Sequence, residues 1–500
     1  MNVERVNSAR SVLVGYIRTT LAVLGLSALG GTPDIARAID VFRTDATVPR
    51  TPADAFADID AAHPCQFGPL GAPLRLAEAV NRALCEHPKT REAWANVKVQ
   101  AAAVGVAKSA YLPTLTANLQ DVRDDAVTNV KGYPRLSSAN RSTVYSGSVS
   151  ANWVLYDFGG RKAALANAQA LLAAARANQD ATLQTVFSTV ATDYYAAQAA
   201  AGKLASAKEA ESIAHDSFIA ASARVTHGVA AISDQLQAQT SYAQAMFNRA
   251  KIEGDLQVAL GTLAADMGLR PDQPVTMPDA DDGVVPDQDF AASVATMIDE
   301  AQSAHPAIAA ARAKLGAAIA SEQQTRAEGL PNLSLVAKYS QNNQPASLGL
   351  GEPQFAATGR DRYVGVQVQI PLFEGFSRSY KVRGAHAQVE VLQDTLDEAR
   401  QQVGLEVWKS YQALQANIQN VGNTVVLKQI AQRSFDVARH RYAAGVGNIL
   451  ELLGAQKALS EAKQQRIQAL TDWRTVRLQL AAKMGHLDAG DLRREQVPQQ

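Results

Sequence analysis

The stretch Arg224-Val225-Thr226-His227-Gly228-Val229, followed by Ile232-Ser233-Asp234, returns 217 residues later as Arg441-Tyr442-Ala443-Ala444-Gly445-Val446, followed by Ile449-Leu450-Glu451. The same offset carries Leu155-Tyr156-Asp157 onto Leu372-Phe373-Glu374 and Met267-Gly268 onto Met484-Gly485. Upstream the offset is 218, where His87-Pro88 meets His305-Pro306 and Leu112-Pro113 meets Leu330-Pro331. A register held over so long a stretch, with one residue lost between the halves, marks an internal duplication. The copies occupy about 74–268 and 289–485, separated by a Pro- and Asp-rich linker at 269–288. Residues 39–73 and 486–500 read as a loosely structured N-terminal extension and C-terminal tail. Neither copy offers a compact core of its own, so the two are expected to pack side by side.

Each copy has the order helix, strand, loop, strand, long helix, long helix. Pro88 opens a helix that is expected to run to about Ala110, since proline is tolerated in a first helical turn. Leu115, Ala117 and Leu119 then alternate with Thr114, Thr116, Asn118 and Gln120, the period of a strand with one apolar face. The return strand sets Gly147, Val149, Ala151, Trp153 and Leu155 against Ser146, Ser148, Ser150 and Asn152. Copy two repeats this with Leu333, Leu335, Ala337 and Tyr339, and with Val364, Val366, Val368, Ile370 and Leu372. A soluble sheet on a helical core would alternate in the same way. Strands of about nine to twelve residues, small uncharged polar faces, and Tyr145, Trp153, Tyr339 and Tyr363 at girdle positions favour a membrane barrel. Four strands leave open edges in lipid, so several chains must contribute to one barrel. The proline-free stretch from Arg161 to about Arg224 has apolar residues at three- and four-residue steps, which predicts a helix of roughly 95 Å. A turn at Thr226–Ala231 leads to a second helix ending near Met267. Copy two does the same over about Arg378–Tyr442 and Ile449–Met484.

Bulk properties exclude several classes. Lys+Arg and Asp+Glu both number 48, which removes the basic field of a nucleic-acid binder. Residues 1–38 read as a secretory signal peptide: Arg10 and Arg18, an apolar run from Leu21 to Leu29, and Ala36-Arg37-Ala38 as a cleavage site. That run is too short to span a bilayer, and no other stretch reaches 18 uninterrupted apolar residues. The only cysteines, Cys65 and Cys85, are read as a disulfide in an exported chain; closing that loop contributes about 3 kcal/mol in the chain-entropy model. No metal site and no cofactor are expected, since none of the eight histidines lies within four residues of another. No P-loop, nucleophile elbow or His-Glu-x-x-His helix occurs, so an enzyme is not expected.

The duplicated scheme, the segments Leu155-Tyr156-Asp157-Phe158-Gly159-Gly160-Arg161 and Pro371-Leu372-Phe373-Glu374-Gly375-Phe376, and the turns at Gly228 and Gly445 resemble the TolC-type outer-membrane efflux proteins. The resemblance covers roughly 74–485. Leu84-Cys85-Glu86-His87-Pro88-Lys89-Thr90-Arg91 is also similar to the branch that serves type I secretion of proteins such as the adenylate cyclase toxin. It implies a mainly α fold with membrane β: a homotrimer whose strand pairs close a twelve-stranded barrel in outer-membrane lipid, continued into the periplasm by an α-helical barrel. It further implies an exit duct of a tripartite export system, for type I secretion or multidrug efflux, completed by an inner-membrane transporter and a periplasmic adaptor.

The resemblance places adaptor-docking turns at Gly228, Val229, Gly445 and Val446. It places a periplasmic gate at Ser233, Asp234, Tyr442 and Glu451, with a hydrogen bond from Tyr442 to Asp234. Gly447 stands where the best-known member of the family has an arginine, and Gly454 where it has a second acid. The alternative reading is a periplasmic adaptor or another exported coiled-coil scaffold. Such a protein normally carries one hairpin flanked by small β domains, not a doubled set with bilayer-length strands.

Overall fold

The computed structural model describes residues 40–53, 65–280, 293–343 and 358–485; the expected signal peptide and C-terminal tail lie outside them. Met1–Ala46 forms a unit of its own. In its described part the Asp40 carboxylate accepts from the Asp45 backbone N–H at 2.8 Å and from the Thr44 hydroxyl at 3.2 Å.

In the unit from Thr47 onward the duplication is realised element by element. Copy one comprises α1 (Leu76–Glu86), α2 (Pro88–Ser109), β1 (Thr114–Thr128), β2 (Ser138–Tyr156), α3 (Gly160–Thr226) and α4 (Ile232–Asp266). Copy two comprises α5 (Val294–Ala304), α6 (Pro306–Ala327), β3 (Asn332–Asn342), β4 (Gly359–Gln369), α7 (Ser377–Ala443) and α8 (Ile449–Met484). α3 and α7 each have 67 residues, about 100 Å of helix. Both short helix junctions use the same local chemistry. The imidazole Nδ1 of His87 accepts from the Lys89 N–H and that of His305 from the Ala307 N–H, both at 3.1 Å, and a proline fills the first helical position.

The copies pack side by side through α3, which touches α2, α4, α6 and α8. Leu183, Phe187, Val190, Tyr194 and Ala197 form its buried stripe against Val80, Leu84, Leu263 and Leu478. The same stripe holds the entry to α1 and the linker between the copies: the Tyr194 hydroxyl donates to the Leu74 carbonyl at 3.0 Å, and Gln198 donates to the Asp279 carbonyl of the linker at 2.7 Å. Arg474 of α8, 1% exposed, donates to Gln198 and to the Ala280 carbonyl. Cys65 and Cys85 are joined, 5.5 Å apart at Cα, and this ties the N-terminal extension to α1. Arg82 reinforces the link by donating to the Gly68 carbonyl at 2.6 Å and pairing with Glu78 at 2.9 Å. The extension runs on along α2 and α3, where Trp94 donates to the Pro49 carbonyl and Gln179 to that of Pro52.

The four strands form one antiparallel sheet in the order β1-β2-β3-β4, with β1 and β4 as its edges. The strand-length expectation is corrected for copy one: β1 has 15 residues and β2 has 19, against 11 each for β3 and β4. Pairing of β2 with β3 stops at Ser146 opposite Asn342, while β1 and β2 stay paired to Thr128 opposite Ser138. The paired part of β1 and β2 therefore runs roughly 26 Å past the last pair of β2 with β3.

Candidate functional site

The sheet has one continuous apolar face. Register sets Ala117 beside Val149 and Val149 beside Tyr339, with Trp153 beside Leu335 and Leu335 beside Val366. These side chains are not covered by the chain itself; Leu115 is 75% exposed and Val364 is 76% exposed. Leaving so much apolar surface in water would forfeit about 25 cal/mol per Å², so the face is built for an apolar medium. Among the described residues no helix is long and apolar enough to cross a membrane. The strands are the only described elements with a membrane-compatible surface.

At the end of each strand pair the chain turns sharply into its long helix. The Asp157 carboxylate accepts from the Arg161 backbone N–H at 2.7 Å, and the Arg161 guanidinium donates to the Val154 carbonyl at 2.6 Å. In copy two Arg378 donates to Glu374 at 3.0 Å and to the Thr325 carbonyl at 2.9 Å. The hydrogen bond from Arg378 is the main reason the Glu374 carboxyl titrates below its usual range. Phe158 and Phe376 adopt positive φ here, 51° and 64°, a region costly for a bulky side chain. That backbone holds both rings outward, Phe158 edge-on to Tyr156 at 4.8 Å and Phe376 edge-on to Phe373 at 5.4 Å. Sequence reasoning missed this aromatic group, although its signal stands in the matching Tyr-Asp-Phe-Gly and Phe-Glu-Gly-Phe segments.

At the far ends of the long helices both turns close in the same way. The Gly228 N–H donates to the Val225 carbonyl and the Val229 N–H to that of Arg224; Gly445 and Val446 do the same to Tyr442 and Arg441. Gly228 and Gly445 have φ of +72° and +78°, so each is the left-handed residue of a Schellman cap. Val229 and Val446 stand exposed beside them. Gly447 has a steric reason: a Cβ there would lie 2.7 Å from the Tyr442 nitrogen and 2.9 Å from the Arg441 carbonyl carbon. No side chain fits there without a shift of the backbone.

The expected hydrogen bond from Tyr442 to Asp234 is not formed within one chain. Tyr442 is 6% exposed and packs with Ala221, Phe435 and Ile449, so its hydroxyl is buried without a partner. Burial raises its pKa most, and the Asp234 charge adds to this from a distance while Arg224 opposes it. Arg224, a residue sequence reasoning did not single out, makes the link instead. Its guanidinium donates to the Tyr442 carbonyl at 2.7 Å and lies 4.8 Å from the ring centroid. It thereby fastens the end of α3 to the end of α7, joining the two copies. Ser233 stands exposed and Asp234 half-buried at the start of α4, their side chains 3.5 Å apart. Glu451 faces Arg441 across the second turn at 3.5 Å. The geometry thus offers a membrane face at one end and two clasped helix ends at the other. No cluster that could hold a metal ion occurs among the described residues.

Comparison with known proteins matches this architecture. A family model described as "Outer membrane efflux protein" fits residues 79–269 and 297–486. Protein CyaE of Bordetella pertussis is 32% identical over 417 residues, 83% of this chain and 84% of that protein. The alkaline protease secretion protein AprF of Pseudomonas aeruginosa is 28% identical over 205 residues, 40% of this chain and 41% of its own length. The solved outer membrane protein VceC of Vibrio cholerae covers 82% of this chain and 96% of its own, with a TM-score of 0.69 at 19% identity.

Proposed function

The chain belongs to the outer membrane efflux protein family, and on that premise we propose that three copies of it form the exit duct of a type I protein-secretion system. It is an outer-membrane channel of a tripartite export system, with its strands in the bilayer and its long helices reaching into the periplasm. The family consists of channels rather than enzymes. Its members act as trimers with periplasmic adaptors and inner-membrane transporters.

One observation carries the trimer: a four-stranded sheet with two unpaired edges, β1 and β4, and an exposed apolar face. Unpaired backbone groups are strongly unfavourable in lipid, and three such sheets joined edge to edge leave none. Protein secretion as the task is supported by the segment Leu84–Arg91 and by the likeness to a protein named for alkaline protease secretion. The exposed turns at Gly228-Val229 and Gly445-Val446 serve as the adaptor-docking surface. Ser233, Asp234, Tyr442 and Glu451, with Arg224 as the clasp, form the periplasmic entrance.

Fractionation and mass measurement test the assembly. An outer-membrane oligomer of three chains is expected; a soluble or inner-membrane monomer would overturn it. A photo-crosslinking residue at Val229 or Val446 should capture a periplasmic adaptor, and capture at distant helix positions alone would remove the docking assignment.

A further inference from the structure

The two strand hairpins differ in the charge they carry at the end away from the helices. On β4, Arg360 and Arg362 alternate with Arg-to-Val spacing of two along the strand and so share the face of Val364, Val366 and Val368. Val364, Val366 and Val368 of β4, followed by Ile370 and Leu372, make that face apolar over about 25 Å of chain, which at the tilt of a barrel strand covers roughly 20 Å of an outer-membrane barrel's apolar band. The long helices leave the sheet at the opposite end. The two guanidiniums therefore stand at the outer headgroup level, on the side that meets lipid.

Both arginines are exposed, and among the described residues neither has an ion pair or hydrogen bond. Asp361, between them, falls on the other face. By register Arg360 shares a row with Leu119 and Arg362 with Ala117; the first hairpin carries its charges beyond that row and balances them, with Asp121, Arg123 and Asp125 on its apolar face and Arg141 donating to Asp125 at 2.7 Å. Next to Arg362 a shallow groove of about 420 Å³ opens on the sheet, walled by Val149, Ala151, Ala337, Tyr339 and Val364. A positive pair above an apolar groove complements a lipid with an anionic head. The planar guanidinium fork matches the oxygens of a phosphate.

We infer that Arg360 and Arg362 form a docking site for a phosphate-bearing lipid of the outer leaflet, one acyl chain of which lies in the groove beside Tyr339. A charge at this depth costs little in itself, since the penalty for arginine on a lipid face falls to about 0–1 kcal/mol near the interface. The bound phosphate would neutralise the unbalanced hairpin. The inference rests on the outer-membrane placement of the sheet.

The test is lipid retention by the assembled protein in detergent, read by native mass spectrometry. Diphosphoryl lipid A and the same lipid stripped of its phosphates are supplied in parallel. The phosphorylated form should be retained at least about ten-fold more tightly, as losing one charge-assisted contact implies. The Arg360→Gln, Arg362→Gln double variant should lose that preference, and the Arg360→Lys, Arg362→Lys variant should keep part of it. Equal retention of both lipids by the wild type overturns the inference, as does a double variant that still discriminates. A double variant that falls apart into single chains also overturns it, because the arginines would then pair with an acid such as Asp121 on the neighbouring copy's edge strand. Any of these outcomes in a channel that still fractionates with the outer membrane leaves the proposed function standing; loss of outer-membrane fractionation by the wild type would undo that function instead.

Discussion

Copy one and copy two trace the same path, yet where the second long helix of each hairpin ends they use opposite electrostatics. In copy one Asp193 of α3 lies against Asp266, the last residue of α4; burial, followed by the hydrogen bond and charge of Asp266, pushes the Asp193 pKa up to about 7. One Asp266 oxygen is buried with nothing donating to it, and a helix C-terminus disfavours a negative charge. In copy two the residue matching Asp266 is Lys483, which pairs with Glu406 of α7 at 2.7 Å. Burial works to raise the Glu406 pKa, but Lys483, Gln402 and His305 outweigh it and hold it below the usual range. Duplication preserved the backbone and left each copy free to solve its own junction. One junction needs a proton, and the other needs its absence.

Core packing is where the largest difference between the copies should appear. Phe187 of α3 is fully buried, whereas the matching residue of α7 is Gly404, whose open side admits Gln302 and Ile298 of α5. Phe187→Ala should cost about 3–5 kcal/mol in denaturant unfolding, because a large cavity opens in the α1–α3 core. Gly404→Ala should stay within about 1 kcal/mol, since its new methyl crowds only the end of the Gln302 side chain at 3.0 Å, meets Ile298 at an ordinary 3.5 Å and gains helix propensity. Equal losses would mean that the copies are packed alike.

The strand faces should differ less between copies than within them. Val366→Arg should block membrane insertion, at about 2–4 kcal/mol near the midplane, and Val149→Arg, in the same row as Tyr339 and Arg362 at the outer border, should cost less, while Ser148 and Gln367 tolerate the same change. Fractionation of each variant reads the outcome, and equal tolerance on both faces would remove the sheet from the bilayer.

The two junctions should then respond oppositely to pH. Asp193 has a folded pKa raised from 3.8 to about 7, so its contribution is full below about pH 4 and is lost as pH rises through 7. Discounted for partial exposure this amounts to about 2 kcal/mol, and Asp193→Asn should flatten that part of the thermal-midpoint profile. Glu406 has a lowered pKa, so its contribution is present above about pH 4.5 and is lost as pH falls. A profile that is identical in wild type and Asp193→Asn between pH 4 and 8 would break the contrast.

At the proposed entrance Arg224→Ala should cost about 1–2 kcal/mol and raise single-channel conductance in planar bilayers, because it releases the end of α3 from the end of α7. Arg441→Ala, which breaks only the exposed pair with Glu451, should change stability by less than about 1 kcal/mol. The smallest effect is expected for Tyr442→Phe, which removes a buried hydroxyl that has no partner in the chain. A large rise in conductance from Tyr442→Phe alone would restore the hydroxyl to the gate, as a bond made between copies.

The helices and the two strand pairs were legible because duplication shows every signal twice, and the start of α2 at Pro88 or of α8 at Ile449 needed only local caps. The length of the first hairpin was not legible. Alternation fades after Gln120 into Asp121, Arg123 and Asp125, because a ladder with water on both faces has no apolar side to reveal it. The Arg224 clasp escaped for a different reason. Its acceptor is a backbone carbonyl 218 residues away, and a carbonyl leaves no mark on sequence. The same holds for Tyr442, whose hydroxyl is turned inward by the packing of four helices.

The matched helices, 67 residues in α3 and 67 in α7, set a condition on how such a chain can change over generations. Both run from the sheet to a turn at the same far end. A deletion of seven residues from one would shift its turn by roughly 10 Å and rotate every later side chain off its neighbour by about 20°. The same deletion made in both hairpins, in α4 and α8 as well, would keep Arg224 over Tyr442 and merely shorten the span. Length in this lineage is therefore inherited in pairs, and relatives with longer or shorter reach should carry their insertions in duplicate.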